Sequence, residues 1–104
     1  MATEKQKRAI RVIKSKFKEY TGTYLYLIRC NEYYKIGIAW DIDNRLNSLQ
    51  CGNPYELELI CAYKITDARE CEELFKEVFK DKKHIREWFK LSNKDVEIIK
   101  KLVD

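Results

Sequence analysis

The sequence lacks the features that mark membrane, secreted and zinc-binding proteins. No run approaches the roughly 20 apolar residues that a membrane helix needs, and no signal-peptide pattern opens the chain. The four cysteines form no C-x-x-C pair and therefore supply no zinc-site spacing. We expect a cytoplasmic protein whose cysteines stay reduced, with Cys61 and Cys71 in the core.

The chain also has no internal repeat, low-complexity tract or interdomain linker. Its 104 residues are 45% hydrophobic and 37% charged, which is typical of a soluble globular protein. A chain of this length forms one domain and buries a modest core.

Positive charge is concentrated at one end of the chain. Residues 1–20 carry seven Lys/Arg and two Glu, whereas the other 84 residues carry 14 basic and 15 acidic side chains. We therefore divide the chain into a basic amphipathic helix or arm over residues 1–20 and a folded domain over residues 21–104. The cations expected to bind nucleic acid are Lys7, Arg8, Arg11 and Lys14. A solvated helix without nucleic-acid contact is the alternative.

Periodicity predicts the order strand, strand, helix, strand, helix, helix in the folded domain. The strands are expected at residues 23–30, 33–39 and 55–65, and the helices at 42–50, about 67–80 and 93–103. Asp41 and Ser92 are suitable N-caps for the first and last of these helices.

Within the third strand, alternation predicts that five side chains point inward: Leu57, Leu59, Cys61, Tyr63 and Ile65. The second helix is expected to bury Ala68, Cys71, Phe75 and Phe79, and the last helix Val96, Ile99 and Leu102.

Two helices each place one charge on their apolar side. Arg45 falls within the apolar stripe of helix 42–50, and Glu72 lies only about 20° from Phe79 on a helical wheel. Burying an unpaired charge is costly, so the two residues either pair with one another or face a polar cleft. In such a cleft the arginine would hold phosphate and the carboxylate a divalent metal.

The motifs of this chain, taken in the order in which they occur, resemble those of the GIY-YIG nuclease superfamily. The resemblance is to the phage-type branch, whose members are small and have a single domain. The resemblance covers about residues 22–93 and rests on "YLYLIRC", on "KIG" with "IAWDIDNRL", on "LQCGNP", on "ARECEELFKEVF" and on "EWFKLS". Tyr26 takes the place of the GIY tyrosine, Tyr24 stands in the glycine column, and Arg45 follows Gly37 at the family's spacing.

The resemblance implies an α/β (α+β) fold with a central three-stranded antiparallel sheet flanked by helices. To that fold this chain would add the N-terminal basic helix and a C-terminal helix. The implied activity is metal-dependent hydrolysis of phosphodiester bonds in DNA by in-line attack of water.

The site residues follow from the same resemblance. Mg²⁺ or Mn²⁺ would bind Glu72, while Arg45 and Lys35 would hold the phosphate. Tyr26 would activate or orient the attacking water.

The chain departs from the family pattern at two positions. Lys35 stands in the tyrosine column of the second motif half, and Lys76 stands where members of the branch often carry histidine. We expect Lys35 to hold phosphate and to favour the phenolate form of Tyr26. The secondary site candidates are Tyr24, Tyr33, Tyr34, Asn53 and Lys76.

The last motif block contains Glu87-Trp88-Phe89, whose two aromatics are expected to anchor the last helix. Glu87 as a second acidic contributor to the site is the alternative. The only histidine, His84, is expected to be exposed and structural.

Two further functions are compatible with the sequence. One is a catalytically degenerate GIY-YIG-like module that binds nucleic acid, and the other is a protein-interaction domain. The expected partner is duplex or branched DNA, with no membrane association. Because no base-reading module is visible, specificity would come from a homodimer, a partner protein or DNA shape.

Overall fold

A computed structural model describes residues 4, 7, 8, 11, 23–65 and 67–101 of the chain. Its strands are β1 (Thr23–Cys30), β2 (Tyr33–Ala39), β3 (Glu58–Ile65), β4 (Lys83–Ile85) and β5 (Trp88–Lys90). Its helices are α1 (Ile42–Gln50), α2 (Ala68–Val78) and α3 (Asn93–Lys101). None of the helices in the described part is long and apolar enough to cross a membrane.

The five strands form one antiparallel sheet in the order β3-β1-β2-β5-β4. The expected α+β class is confirmed, and the sheet has two strands more than the three that the resemblance implied. The additional strands, β4 and β5, are only three residues long. Segments this short show no usable alternation in the sequence.

The predicted hairpin of β1 and β2 is confirmed, and it turns at Asn31. Asn31 has a left-handed φ of 57°, which asparagine adopts more readily than most residues. The register places Tyr26 opposite Gly37 and Ile28 opposite Lys35. Because opposite residues share a face of the sheet, these four side-chain positions lie together.

Helices cover both faces of the sheet. The main core lies between the sheet and helices α2 and α3, and it contains the predicted Ala68, Cys71, Phe75, Phe79, Val96 and Ile99. Leu102 lies outside the described residues. On the other face, helix α1 packs Ile42, Leu46 and Leu49 against Tyr26, Ile28 and Leu57. All four cysteines are free, with Cys71 buried and Cys61 half-buried.

The third strand contains a bulge that the sequence did not predict. The β1–β3 register is irregular and leaves Ile60 without an opposite residue. An extra residue reverses the face on which the preceding side chains lie. Leu57 therefore packs under α1, and Leu59 is 36% exposed. The prediction that Leu59 points inward was wrong, whereas Cys61, Tyr63 and Ile65 do pack against the main core.

Helix α3 begins with a reciprocal cap between Ser92 and Asp95. The backbone N–H of Asp95 donates to Ser92 Oγ at 3.2 Å, and the backbone N–H of Ser92 donates to Asp95 Oδ2 at 2.9 Å. The ammonium of Lys82 also donates to this carboxylate. Burial raises the pKa of Asp95, but the hydrogen bonds from Lys82 and Ser92 outweigh it and hold the pKa below its usual value.

We expect Asp95→Asn to lower the free energy of unfolding by about 1–2 kcal/mol at pH 7. Because folding lowers the pKa of Asp95, the ionised side chain stabilises the fold above the unfolded pKa of about 3.9. This contribution is lost as the pH falls through the folded pKa. Urea unfolding at pH 7 and pH 3 measures the difference between wild type and variant.

The matched control for this prediction is Asp81→Asn, because Asp81 is exposed and close to Asp95 in sequence. It should change stability little at either pH. An Asp95→Asn difference that is as large at pH 3 as at pH 7 would contradict the stabilising role of the ionised carboxylate.

Candidate functional site

Tyr26 and Arg45 meet between the sheet and helix α1. Tyr26 is buried on β1, and Arg45 is half-buried on α1. Arg45 Nε donates a hydrogen bond to the Tyr26 hydroxyl oxygen at 3.3 Å. The predicted N-cap fixes the start of this helix, since the backbone N–H of Asn44 donates to Asp41 Oδ1 at 3.1 Å. The apolar stripe of α1 thus places a cation against a phenol.

Gly37 gives the Tyr26 ring the space that it occupies. A methyl group at position 37 would lie 2.3 Å from the Tyr26 hydroxyl oxygen and 2.5 Å from Cζ. Real Cβ atoms do not approach other atoms so closely, so every larger residue would force the ring to move. Glycine is therefore required at this position of "KIG" because the Tyr26 ring occupies the space that a side chain would need.

Lys35 is a buried cation whose partner is Glu87. Its residue surface is 6% exposed, and its ammonium donates to Glu87 Oε2. Lysine is almost never fully buried unless it is paired. Glu87 lies in the turn before β5, and its side chain is 56% exposed. The carboxylate therefore joins a buried lysine to the surface.

Glu87 also connects Lys35 to helix α2. Lys76 Nζ lies 3.3 Å from Glu87 Oε1 and 3.1 Å from Glu72 Oε1. The pairing of β2 with β5 stops at Lys35 and Trp88, so Glu87 lies just past the end of the paired region. From there it accepts from cations on both sides of the sheet. We call the chain Lys35–Glu87–Lys76–Glu72 the charge network.

The electrostatics of the site favour the charged forms of Glu87, Lys76 and Arg45. The hydrogen bond from Lys35, supported by Lys76, lowers the pKa of Glu87 despite some burial. Burial lowers the pKa of Lys76, but Glu72 and Glu87 outweigh it and raise that pKa overall. The hydrogen bond to Tyr26 raises the pKa of Arg45, and the charge of Glu87 adds to this. The Glu87 carboxylate therefore also acts on Arg45.

The main site candidates form two separate contact groups. Tyr26 contacts Arg45, while Lys35, Lys76 and Glu72 are linked through Glu87. Arg45 and Glu72 make their hydrogen bonds to other partners, so the hypothesis that they form a salt bridge with each other was wrong.

Glu87 appeared in the sequence only as an alternative, yet it occupies the centre of the charge network. The signal that could have identified it is Lys35. A lysine whose side chain is buried in a sheet requires a carboxylate partner.

Two of the secondary candidates lie on the hairpin away from these contacts. Tyr34 is buried in the main core, on the opposite face from Tyr26. Tyr33 stacks on the exposed ring of His84, with centroids 4.3 Å apart. A hydrogen bond with Glu32 raises the pKa of Tyr33.

The other secondary candidates flank α1. Tyr24 is half-buried, and the ammonium of Lys64 lies 6.0 Å from its ring centroid. Asn53 closes the turn after α1, where its Oδ1 accepts from the backbone N–H of Tyr55 at 2.9 Å. Lys76 is the one secondary candidate that belongs to the charge network.

Little of the predicted basic arm falls within the described residues. Lys7, Arg8 and Arg11 are helical and exposed, and Lys7 Nζ lies 3.6 Å from Glu4 Oε1. Lys14 lies outside the described residues. The binding of nucleic acid by this arm stays a prediction.

The donor set near Glu72 fits a divalent ion only in part. Among the described residues, no three His, Cys, Asp or Glu side chains form a cluster that could hold a metal. Mg²⁺ is often bound by one or two carboxylates together with substrate phosphates. The carboxylates of Glu72 and Glu87 both contact the ammonium of Lys76, which occupies the position between them. The pair fits an ion that is shared with a substrate phosphate, and not a preformed all-protein site.

Comparison with known proteins gives one family. The T5orf172 domain matches residues 23–104, from the start of β1 to the end of the chain. No curated protein and no solved structure matches this chain. The T5orf172 domain is phage-associated and often linked to nuclease-type domains of the HNH and GIY-YIG-like kinds, which points to a nucleic-acid-related function. The chain belongs to the T5orf172 domain family.

Proposed function

We propose that this protein is a metal-dependent endonuclease of the GIY-YIG type that hydrolyses phosphodiester bonds in DNA. The observation that carries the proposal is the hydrogen bond from Arg45 to Tyr26, made possible by Gly37. It brings a cation of the kind that binds phosphate into contact with a buried hydroxyl group. The nucleic-acid-related character of the family supports the same conclusion.

Arg45 is the residue proposed to hold the scissile phosphate. Its guanidinium stays charged and matches the oxygens of a phosphate in a bidentate manner. The Nε–H is used to orient Tyr26, which leaves the terminal nitrogens as the groups for the phosphate. Lys35 is 6% exposed and paired with Glu87, so it acts mainly through its charge and through the position of Glu87.

Tyr26 is proposed to orient or activate the attacking water. Because arginine can only donate, the Tyr26 oxygen is the acceptor of their hydrogen bond. The phenol can therefore direct its own O–H, or a lone pair, at a water molecule. A positioned acid–base group contributes roughly 100-fold to 10,000-fold to a hydrolysis rate.

Glu72, with Glu87 beside it, is proposed to hold Mg²⁺ or Mn²⁺ together with the substrate phosphate. When bound, the ion would stabilise negative charge on the leaving oxygen. Lys76 Nζ contacts both carboxylates and holds them next to each other.

A cleavage panel tests this proposal. Linear, nicked and branched DNA are incubated with wild type and with Glu72→Ala, with and without Mg²⁺ or Mn²⁺. We expect wild type to cut only with metal and Glu72→Ala to be slower by at least about 100-fold, since metal stabilisation is worth several kcal/mol. Cleavage by Glu72→Ala at the wild-type rate would reject the assignment of Glu72.

A second function is a binding module that has lost its chemistry. The observation that favours it is the charge network, in which lysines occupy the acceptors that a metal would need. It predicts salt-sensitive, metal-independent DNA binding without products. Lys35→Tyr belongs in the same panel, because cleavage that appears only in this variant would favour the binding module over the nuclease.

The proposed substrate is duplex or branched DNA. A single copy of one small domain cuts both strands of a duplex only in two encounters, so a homodimer or a partner protein would be needed for paired cuts. The same partner would supply the choice of site.

A further inference from the structure

The outer edge of the sheet carries a concentration of positive charge that the overall charge balance hides. Residues 80–90 contain five Lys/Arg and two acidic residues. They form the turn after α2 and the strands β4 and β5. The remainder of the folded domain is acidic enough to offset this charge, so the sequence alone placed the basic surface only in the N-terminal arm.

Part of this charge lines a cleft of about 180 Å³. We call it the basic cleft and define it by its lining residues, Lys76, Lys80, Lys83, Arg86, Glu87 and Phe89. Four of the six are cations, and the one carboxylate among them is already paired with Lys35 and Lys76. The net charge of the lining favours an anion.

The local backbone positions these cations. Lys80 lies in the turn that follows α2, where its ammonium donates to Glu77 Oε1 at 3.1 Å. Lys83 begins the edge strand β4. Arg86 stands in the β4–β5 turn with a φ of 54°, a left-handed conformation that arginine seldom adopts. A strained turn residue that is also charged and lines a cleft suggests that its side chain has a use there.

The basic cleft adjoins the candidate active site. Lys76 and Glu87 line the cleft and also belong to the charge network with Lys35 and Glu72. Glu87, which lines the cleft, also acts on Arg45 through its charge, and this links the cleft to the residue proposed to hold the scissile phosphate. Phosphates recur along a strand, so a neighbouring anion is always present on such a substrate.

We propose that the basic cleft binds a backbone phosphate that flanks the cleaved one, through Lys80, Lys83 and Arg86. The choice of DNA as the ligand rests on the proposed function, whereas binding in the cleft requires no cleavage. Contacts to the backbone position a nucleic acid without reading its sequence. The cleft would thus set the direction in which the strand crosses the site.

The test is DNA binding without metal. The affinity of a fluorescent 20-base-pair duplex is measured by anisotropy in EDTA at several salt concentrations, for wild type, Arg86→Gly and Lys83→Ala/Arg86→Gly. Glycine at position 86 suits the positive φ, so this variant loses the side chain while the turn is kept. Lys101→Ala is the matched control, because Lys101 is an exposed lysine at the end of α3 and does not line the cleft.

We expect Arg86→Gly to weaken binding roughly tenfold and the double variant to weaken it further. The slope of log affinity against log salt should fall by about one for each phosphate-binding cation that is removed. Lys101→Ala should change affinity by less than about twofold. Equal losses of affinity in Lys101→Ala and the double variant, or no loss in either, would overturn the proposal.

A separate arm distinguishes the source of the phosphate. Inorganic phosphate is added at constant ionic strength to the wild-type complex, and a polynucleotide site predicts no displacement at micromolar concentrations. Displacement in that range would mean a site for free phosphate and would overturn the assignment to DNA.

The two proposals fail in different ways. If cleavage depends on metal and the double variant binds DNA as wild type does, the proposal for the basic cleft is rejected and the proposed nuclease activity is kept. If the double variant loses DNA binding and wild type cleaves under no condition, the proposal for the basic cleft is supported and the proposed nuclease activity is rejected.

Discussion

Replacing Gly37 with alanine is expected to destabilise the fold and to disable the candidate site together. The added methyl group would lie 2.3 Å from the Tyr26 hydroxyl oxygen, so the phenol must leave its place beside Arg45. Overpacking of this kind costs about 1–3 kcal/mol. Urea unfolding should show this loss of stability, and DNA cleavage should slow by roughly 100-fold or more because the acid–base group is displaced.

Two controls isolate the collision with Tyr26. In a Tyr26→Ala background the same Gly37→Ala change should cost little stability, because the ring is no longer there. Gly52→Ala is the second control. A methyl group at position 52 would have no other atom within 4 Å, but the backbone there has a φ of 79°. Its cost should be that of backbone strain alone, about 1–2 kcal/mol, with cleavage unchanged. If Gly37→Ala left both stability and cleavage at wild-type levels, the explanation of "KIG" would be wrong.

Glu87→Ala is the second change with a large expected effect. It removes the acceptor of Lys35, whose residue surface is 6% exposed, and one of the two acceptors of Lys76. Leaving a buried charged donor without a partner costs about 1–3 kcal/mol, and the half-exposed position of Glu87 favours the lower part of this range. Thermal or urea unfolding measures the loss of stability.

The matched control is Glu58→Ala, which breaks an ion pair with Arg29 at the opposite edge of the sheet. Both of those side chains are about half exposed, at 45% and 55%, so the expected loss of stability is about 0–1 kcal/mol. In a Lys35→Met background, Glu87→Ala should cost much less than in wild type. Equal losses for Glu87→Ala and Glu58→Ala would show that the burial of Lys35 does not depend on Glu87.

The elements that the sequence predicted correctly are those with several repeats of one period. Strands β1 and β2 have eight and seven residues with a clear turn between them, and α1 has a strong N-cap at Asp41. The strands β4 and β5 were missed because three residues do not establish alternation. The bulge at Ile60 was missed because nothing in the residue types of the strand marks it. Its effect is to reverse the faces on which the side chains before it lie.

In the candidate site, too, some features could be predicted from local periodicity and others could not. The inward position of Arg45 could be predicted because a helical wheel relates it to neighbours on the same helix. The pairing of Lys35 with Glu87 joins residues 52 positions apart, through a turn with no periodicity. Such a contact depends on the whole topology of the sheet, in particular on the pairing of β5 with β2.

The most direct test of the central claim is one single-turnover experiment on DNA nicking. Rates are measured for wild type and Glu72→Ala with Mg²⁺ or Mn²⁺, with DNA affinity determined on the same samples. The proposed nuclease predicts metal-dependent nicking by wild type, a rate at least about 100-fold lower for Glu72→Ala, and similar DNA affinity for both proteins. Equal rates for the two proteins, or DNA binding by wild type without any nicking, would contradict it.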